Sequence, residues 1–250
     1  MEVISIMSRK GGVGKTATAH ALGAALMKRG KKVLFIDADG QCNLTLTMKA
    51  HEKGKNLFNV FMGECSLKDA IEQTSNGYII PGNEDLQAID VMLRDPDPNL
   101  ILKRCIKDIS KDFDYCIIDT PAALGRISRN VINISDKIVI PLNADIYSFQ
   151  GIRRVIDAIE HVKAKDKSRA VVSGLLITQF DPRTTISKDL SKELKEIAAN
   201  NGTRVFESKI RQCVKIREAA ISQTDIYSYA PKSNAAVDYE SFTNELLKAE

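Results

Sequence analysis

One stretch, Lys10-Gly11-Gly12-Val13-Gly14-Lys15-Thr16, constrains this chain more than any other. It follows a short apolar run at residues 3–7 and opens a segment of helical period at residues 15–29. Glycines between a buried strand and a helix let the backbone take positive φ and approach a ligand, because no Cβ stands in the way. The N–H groups freed there, with the positive end of the helix dipole, face an anion. A plain strand-to-helix turn accounts for the glycines but not for the Lys15-Thr16 pair that follows Gly14. Lysine at that point neutralises charge on β- and γ-phosphates, and a threonine hydroxyl is a ligand for Mg²⁺. The stretch is therefore expected to hold ATP with Mg²⁺ through Lys10, Gly11, Gly12, Val13, Gly14, Lys15, Thr16 and the next helical residue, Ala17.

The remaining pattern sets the fold class. Apolar runs rich in β-branched residues recur at 32–36, 115–118, 137–141, 171–178 and 203–206, as buried parallel strands do. Helix-period segments lie between or after them at 99–111, 148–163, 187–200 and 234–248. Strand alternating with helix implies an α/β fold, a doubly wound and mostly parallel sheet flanked by helices, with ligands outside the carboxyl ends of the strands. No linker, repeat or low-complexity stretch interrupts the pattern, so residues 1–250 are expected to form one domain. Residues 51–98, punctuated by Gly, Asn and Pro, are expected to be a helix pair packed beside the sheet.

Two of the strand ends are acidic. The run at 32–36 ends in Asp37-Ala38-Asp39-Gly40-Gln41, and carboxylates at i and i+2 point the same way in an extended chain. Both would approach the metal and the attacking water beside a γ-phosphate. The second end is Asp114-Tyr115-Cys116-Ile117-Ile118-Asp119-Thr120-Pro121. An apolar strand ending in aspartate, downstream of a phosphate loop, fits an element that holds Mg²⁺ through water.

Position 9, where the general pattern G-x-x-x-x-G-K-[ST] has its first glycine, is Arg9, and a second lysine, Lys10, follows it. This Lys-Gly-Gly-x-Gly-Lys-Thr form resembles the deviant Walker A motif of the ParA/MinD superfamily. The resemblance implies a nucleotide-sandwich homodimer in which Lys10 reaches the ATP of the partner subunit, as an arginine finger does. It implies that Asp39 orients the hydrolytic water, Asp37 supports the Mg²⁺ shell and Asp119-Thr120-Pro121-Ala122 is the second switch. Lys15 and Thr16 keep their roles at phosphate and metal. Gly40 and Cys42 stand where the family has proline and glycine. Two further stretches extend the resemblance: Ile177-Thr178-Gln179-Phe180-Asp181-Pro182-Arg183-Thr184, and Lys215-Ile216-Arg217-Glu218-Ala219 with the later 229–236 and Tyr239. By the same resemblance, backbone from Arg211 to Cys213 lines the adenine, although the proline often found there is missing. Without an N-terminal helix-turn-helix extension, the chain is similar to the short, Soj-like form.

Charge and composition bear on the partner. The net charge is +4, yet residues 163–217 carry thirteen Lys/Arg against six Asp/Glu. Such a patch suits an anionic partner. Lys188, Lys192 and Lys195 share a helical face, and Lys209, Lys215 and Arg217, with Arg211, alternate beside a helix expected to start at Glu218. These residues are the candidates for contacts to the backbone of nonspecific double-stranded DNA, without base readout. Five scattered cysteines with no C-x-x-C pair suit reduced thiols in a cytoplasm, and no apolar run approaches membrane-spanning length. The expected activity is that of a ParA-type ATPase for DNA segregation. It would be cytoplasmic, associated with the nucleoid, and stimulated by a ParB-like centromere-binding partner. A MinD-like membrane ATPase would need a basic amphipathic end, but residues 238–250 hold four acids and one lysine. A reductase resembling the nitrogenase iron protein would need cysteines placed for a shared cluster, and Cys116 sits inside an apolar strand. A third alternative is a regulatory dimer that binds ATP without hydrolysing it.

Overall fold

The computed structural model describes the backbone of residues 1–143, 148–183 and 186–248, and the side chains of these except 148–150 and 186–191. Among the described residues, seven strands are formed by Glu2–Ile6 (β1), Val33–Asp37 (β2), Glu72–Thr74 (β3), Gly77–Ile80 (β4), Tyr115–Asp119 (β5), Lys137–Asn143 (β6) and Val171–Thr178 (β7). They make one sheet in the order β3-β4-β2-β5-β1-β6-β7, parallel throughout except for the β3–β4 pair. Alternate residues along each central strand enter different cores, as the pleat requires. Leu34, Ile36, Cys116 and Ile118 face one layer with the helices Arg126–Ile134 and Ser148–Asp166. Val33, Phe35 and Ile117 face the other, with Lys15–Lys28 and Asn234–Leu247. This is the doubly wound, mostly parallel sheet that the alternation of strand and helix predicts.

The expected helices at 15–29, 148–163, 187–200 and 234–248 are observed as Lys15–Lys28, Ser148–Asp166, Ile186–Asn200 and Asn234–Leu247. Three expectations are corrected. Residues 51–98 are not a helix pair: after the short helix Leu57–Met62 the chain forms the β3–β4 hairpin, and β4 joins the sheet parallel to β2. The turn residues Ser75-Asn76 and the left-handed Gly77 (φ 116°) close that hairpin, and Ile79 and Ile80 are fully buried by it. Residues 99–111 yield only the helix Ile101–Cys105 and a 3₁₀ turn Ile106–Asp108, because the chain must bury Ile109 and Phe113 while turning into β5. Residues 203–206 lie alongside the edge strand β7, in parallel, but do not extend into a strand. They make one bridge, Leu175 to Val205, and lay the Phe206 ring over Gly174.

The helix Lys15–Lys28 carries the glycine loop onto the sheet. Its residues are mostly Ala, Leu and other good helix formers, and it is buried on two sides, between β2 and the helix Asn234–Leu247. Full burial of Leu22 and Leu26 contributes about 1.5–3 kcal/mol each. Gly23 is where this helix crosses Phe35, and a Cβ there would overlap the ring. Two effects then compete in Gly23→Ala: helix propensity favours alanine by about 1 kcal/mol, while overpacking a rigid core costs about 1–3 kcal/mol. The clash should win. Denaturant unfolding is expected to show a destabilised variant, and a variant more stable than wild type would refute this packing.

Candidate functional site

The loop after β1 is shaped by Gly12 (φ 74°) and Gly14 (φ 82°), both left-handed. Gly14 begins the helix, its carbonyl accepting from Thr18 N at 2.9 Å, with no side chain capping the first turn. The free N–H groups of that turn are an anion site in waiting. A Cβ at Gly11, Gly12 or Gly14 would meet nothing within 4 Å, so open space lies over the loop. The loop carbonyls are held from behind. Thr178 Oγ1 donates to Val13 O (2.8 Å) and Gln179 Nε2 to Gly12 O (2.6 Å). With its carbonyls tied to the end of β7, the loop can aim its amides at a ligand. These two supporting residues sit in the stretch 177–184, whose link to the loop had no signal in local spacing.

Strand register assembles the acidic edge. Ile6 and Asp37 both pair with Asp119, so three strands end side by side. Both aspartates are fully buried, but their surroundings differ. Asp37 Oδ2 accepts from Thr45 N and Thr45 Oγ1, each at 2.8 Å, and Oδ1 accepts from Asp39 N at 3.2 Å. Asp119 Oδ2 accepts from Thr16 Oγ1 at 2.5 Å, while its Oδ1 is buried with no partner. Burial, and then the neighbouring Asp37 charge, push the Asp119 carboxyl well above the ordinary range. Burial does the same to Asp37, against the Thr45 hydrogen bonds. An orphaned carboxylate oxygen beside a threonine hydroxyl, at the mouth of a phosphate loop, is a fit place for a hard divalent cation.

The expectation that Asp37 and Asp39 point together at the metal is corrected. Asp37 turns into the core to hold Thr45, and only Asp39, half-buried, lines the cavity. Cys42 sits in the left-handed region (φ 55°), which glycine adopts without a steric cost. The strain of about 1–2 kcal/mol for a side chain there is about half offset by the extra backbone entropy, about 0.5–1 kcal/mol, that glycine would lose on folding.

A cavity of about 760 Å³ runs from this edge along the first helix. It brings together Gly11, Gly12, Gly14, Lys15, Thr16, Ala17 and Asp39 with Arg211 and Cys213, which are distant in sequence. Val13 is buried beneath the loop, and Lys10 is half-buried outside the cavity of its own chain. Arg211 is fixed by Asp238, which accepts its backbone N (2.9 Å) and guanidinium (2.6 and 2.9 Å). His20, packed edge-on to Phe35 and held by burial at a pKa of about 4, also lines the cavity and was not foreseen.

The basic candidates are less unified than their spacing suggests. The helix Val214–Ile221 starts before Glu218, so Lys215 and Arg217 lie within it. Arg217 is at the cavity rim, and Lys215 pairs with Glu218 at 2.8 Å. Lys209 lies 4.6 Å over the Phe180 ring. Lys192 and Lys195 are exposed on the helix Ile186–Asn200, whose Leu194 and Ala198 face the core, and Lys195 reaches Glu207 at 3.4 Å. The side chain of Lys188 lies outside the described residues.

Residues 1–172 match the AAA_31 family model, described as an AAA domain. An uncharacterized protein of Pseudomonas putida KT2440 is 30% identical over 99% of this chain and 95% of its own length. The chromosome partitioning protein ParA of Caulobacter vibrioides is 28% identical over all of this chain and 95% of its own. Among solved structures, cobyrinic acid a,c-diamide synthase from Mycobacterium smegmatis with bound ATP analog and magnesium superposes with a TM-score of 0.83. It is 28% identical, over 99% of this chain and 95% of that one.

The unpartnered Asp119 oxygen gives a prediction that needs no ligand. A carboxyl raised on folding penalises the native state once the unfolded group has lost its proton, so stability falls as pH rises from about 4. Asp119→Asn keeps the acceptor for Thr16 and removes the charge. Without nucleotide or Mg²⁺, it is expected to be more stable than wild type at neutral pH by about 1–3 kcal/mol, with the difference shrinking below about pH 4. Thermal unfolding across pH checks this, and an Asp119→Asn variant less stable than wild type at neutral pH would contradict it.

Proposed function

The chain belongs to the AAA_31 family and to the ParA/MinD superfamily of P-loop ATPases, and from that premise we propose that it is a ParA-type ATPase for DNA segregation. In this reading one domain of residues 1–250 binds ATP with Mg²⁺ and pairs with a second copy. The pair binds duplex DNA without sequence preference, and hydrolysis stimulated by a ParB-like partner on the cargo releases it. The observation that carries the reading is the orphaned Asp119 Oδ1 beside the Thr16 hydroxyl, under a glycine loop with open amides. A divalent cation suits the first feature and a nucleoside triphosphate the second, and the two ligands bind as one.

The residue roles follow from placement. The amides of residues 11–17 and the Lys15 ammonium would bind the phosphates. Thr16 and Asp119 would hold Mg²⁺, which when bound offsets charge on the phosphate oxygens. Asp37 would act at one remove, by fixing Thr45 and the start of the 39–42 loop. Asp39 faces the cavity and would orient the water that attacks the γ-phosphorus as the bond to ADP breaks. Lys10, placed outside its own cavity, would serve the partner subunit's nucleotide. The segment Arg211–Cys213 would line the base.

Two observations favour DNA over a lipid surface. The apolar side of the helix Asn234–Leu247, including Ala236, Tyr239, Phe242 and Leu246, is buried against the first helix, and Arg29 clamps it through Glu240 at 2.6 Å. That helix therefore turns its apolar side to the first helix and not to a bilayer. No described helix is long and apolar enough to cross a membrane. Exposed Lys192, Lys195, Lys215 and Arg217 lie in the basic half. A cytoplasmic protein associated with the nucleoid fits both.

Fluorescence anisotropy with a random-sequence duplex tests the reading. Binding is expected with ATP and Mg²⁺ and lost with ADP or without nucleotide. If a dimer makes about four phosphate contacts, affinity should fall roughly a hundredfold between about 50 and about 200 mM salt. Asp39→Ala should still bind DNA with ATP while its phosphate release drops at least about tenfold. DNA binding indifferent to nucleotide, or binding to anionic vesicles instead of DNA, would overturn the proposal.

A further inference from the structure

The segment at residues 81–93, between β4 and the chain leading to β5, touches both loops of the acidic edge. At its start, Gly82 N donates to Thr45 Oγ1 at 2.9 Å, the same hydroxyl that serves Asp37. A Cβ on Gly82 would lie 2.9 Å from Asp37 O and 3.1 Å from Asp39 O. Next, in the 3₁₀ helix Glu84–Ala88, Gln87 Nε2 donates to Gly40 O at 3.1 Å. A Cβ on Gly40 would come within 2.6 Å of Gln87 Cγ and 3.2 Å of its backbone N. Then, in the helix Ile89–Met92, Asp90 Oδ1 accepts from Arg126 N at 2.8 Å. A Cβ on Gly125 would collide with the Asp90 carboxylate, and the Arg126 guanidinium donates back to Leu93 O at 2.8 Å. Leu86, Ile89 and Leu93 are buried, which anchors the segment between its two ends.

Each crossing is therefore made at a glycine, and each is closed by a hydrogen bond. Asp90 also supplies what Gly125 cannot, an acceptor for the first-turn N–H of the helix Arg126–Ile134. We propose that residues 81–93 are a strap coupling the 39–42 loop to the 120–126 loop, with Gln87 and Asp90 as its positioning residues. A shift of either loop is then transmitted to the other through a packed element that cannot yield at the glycine crossings. The consequence for nucleotide turnover rests on the function proposed above: Asp39 and the chain beyond Asp119 would adopt their γ-phosphate-bound arrangement together.

Amide hydrogen exchange on the full chain without nucleotide separates this coupling from the function. Asp90→Ala removes contacts to Gly125 and Arg126 and leaves the 39–42 loop's own contacts in place. It is expected to raise exchange several-fold both in residues 120–127 and in residues 39–45, leaving the helix Asn234–Leu247 unchanged. Gln87→Ala, which releases Gly40, should do the reverse, loosening 120–127 from the other side. Asp90→Asn keeps an acceptor for the Arg126 N–H and should restore the wild-type pattern at both loops. Under ATP turnover, the Gln87→Ala and Asp90→Ala effects on kcat should combine non-additively although the two residues serve different loops. Exchange confined to the loop each residue touches, or spread into the C-terminal helix, would overturn the strap. Failure of the wild type to bind ATP would defeat the proposed function and leave the exchange result standing.

Discussion

Two buried carboxylates lie in register at the carboxyl edge of adjacent strands, and the protein itself satisfies only one of them. Asp37 takes three hydrogen bonds from Thr45 and Asp39, so its charge organises the chain that follows β2. Asp119 has the Thr16 hydroxyl on one oxygen and nothing on the other. Burial raises both carboxyls above their ordinary range, and the neighbouring Asp37 charge raises Asp119 further. The arrangement is stored instability that a cation beside Thr16 would relieve. The glycine loop, carried by the first helix on Phe35, would present phosphate to that same point.

The supporting structure follows the same logic of fixed backbone and free amides. The end of β7 pins the loop carbonyls through Thr178 and Gln179, and Asp238 pins Arg211 at the far end of the cavity. The phosphate end and the base end are thus held by the C-terminal half, while the acidic edge is held by the N-terminal half. A ligand spanning the cavity would bridge the two. That geometry suits a switch, because a triphosphate and a diphosphate differ at the acidic end alone.

How much of this was legible in the sequence depended on whether the cause was local. The glycine loop was, because positive φ, a helix start and an adjacent Lys-Thr pair are all written within seven residues. The terminal Asp119 was, because it ends a run of buried β-branched residues in the right order after the loop. The β3–β4 hairpin was not: Glu72–Thr74 is short, polar and at the sheet edge, and β4 is a strand only because β2 offers it a partner. The inward turn of Asp37 was hidden for a similar reason, since Thr45 lies in a short helix whose place is set by residues 81–93. Alternation ahead of an expected helix start at Glu218 made Lys215 and Arg217 look like one basic stripe with Lys209 and Arg211, but the helix starts at Val214 and places Arg217 at the cavity rim.

The central claim is that this site is half of an ATP-dependent pair, with Lys10 supplied from the other copy. Sedimentation velocity of the Asp39→Ala variant, which should hold ATP without consuming it, tests that claim most directly. The predicted result is a doubling of mass with ATP and Mg²⁺, a monomer with ADP, and no doubling when Lys10→Ala is added to the variant. A mass that ignores the nucleotide, or a pair that forms equally well without the Lys10 ammonium, would contradict it.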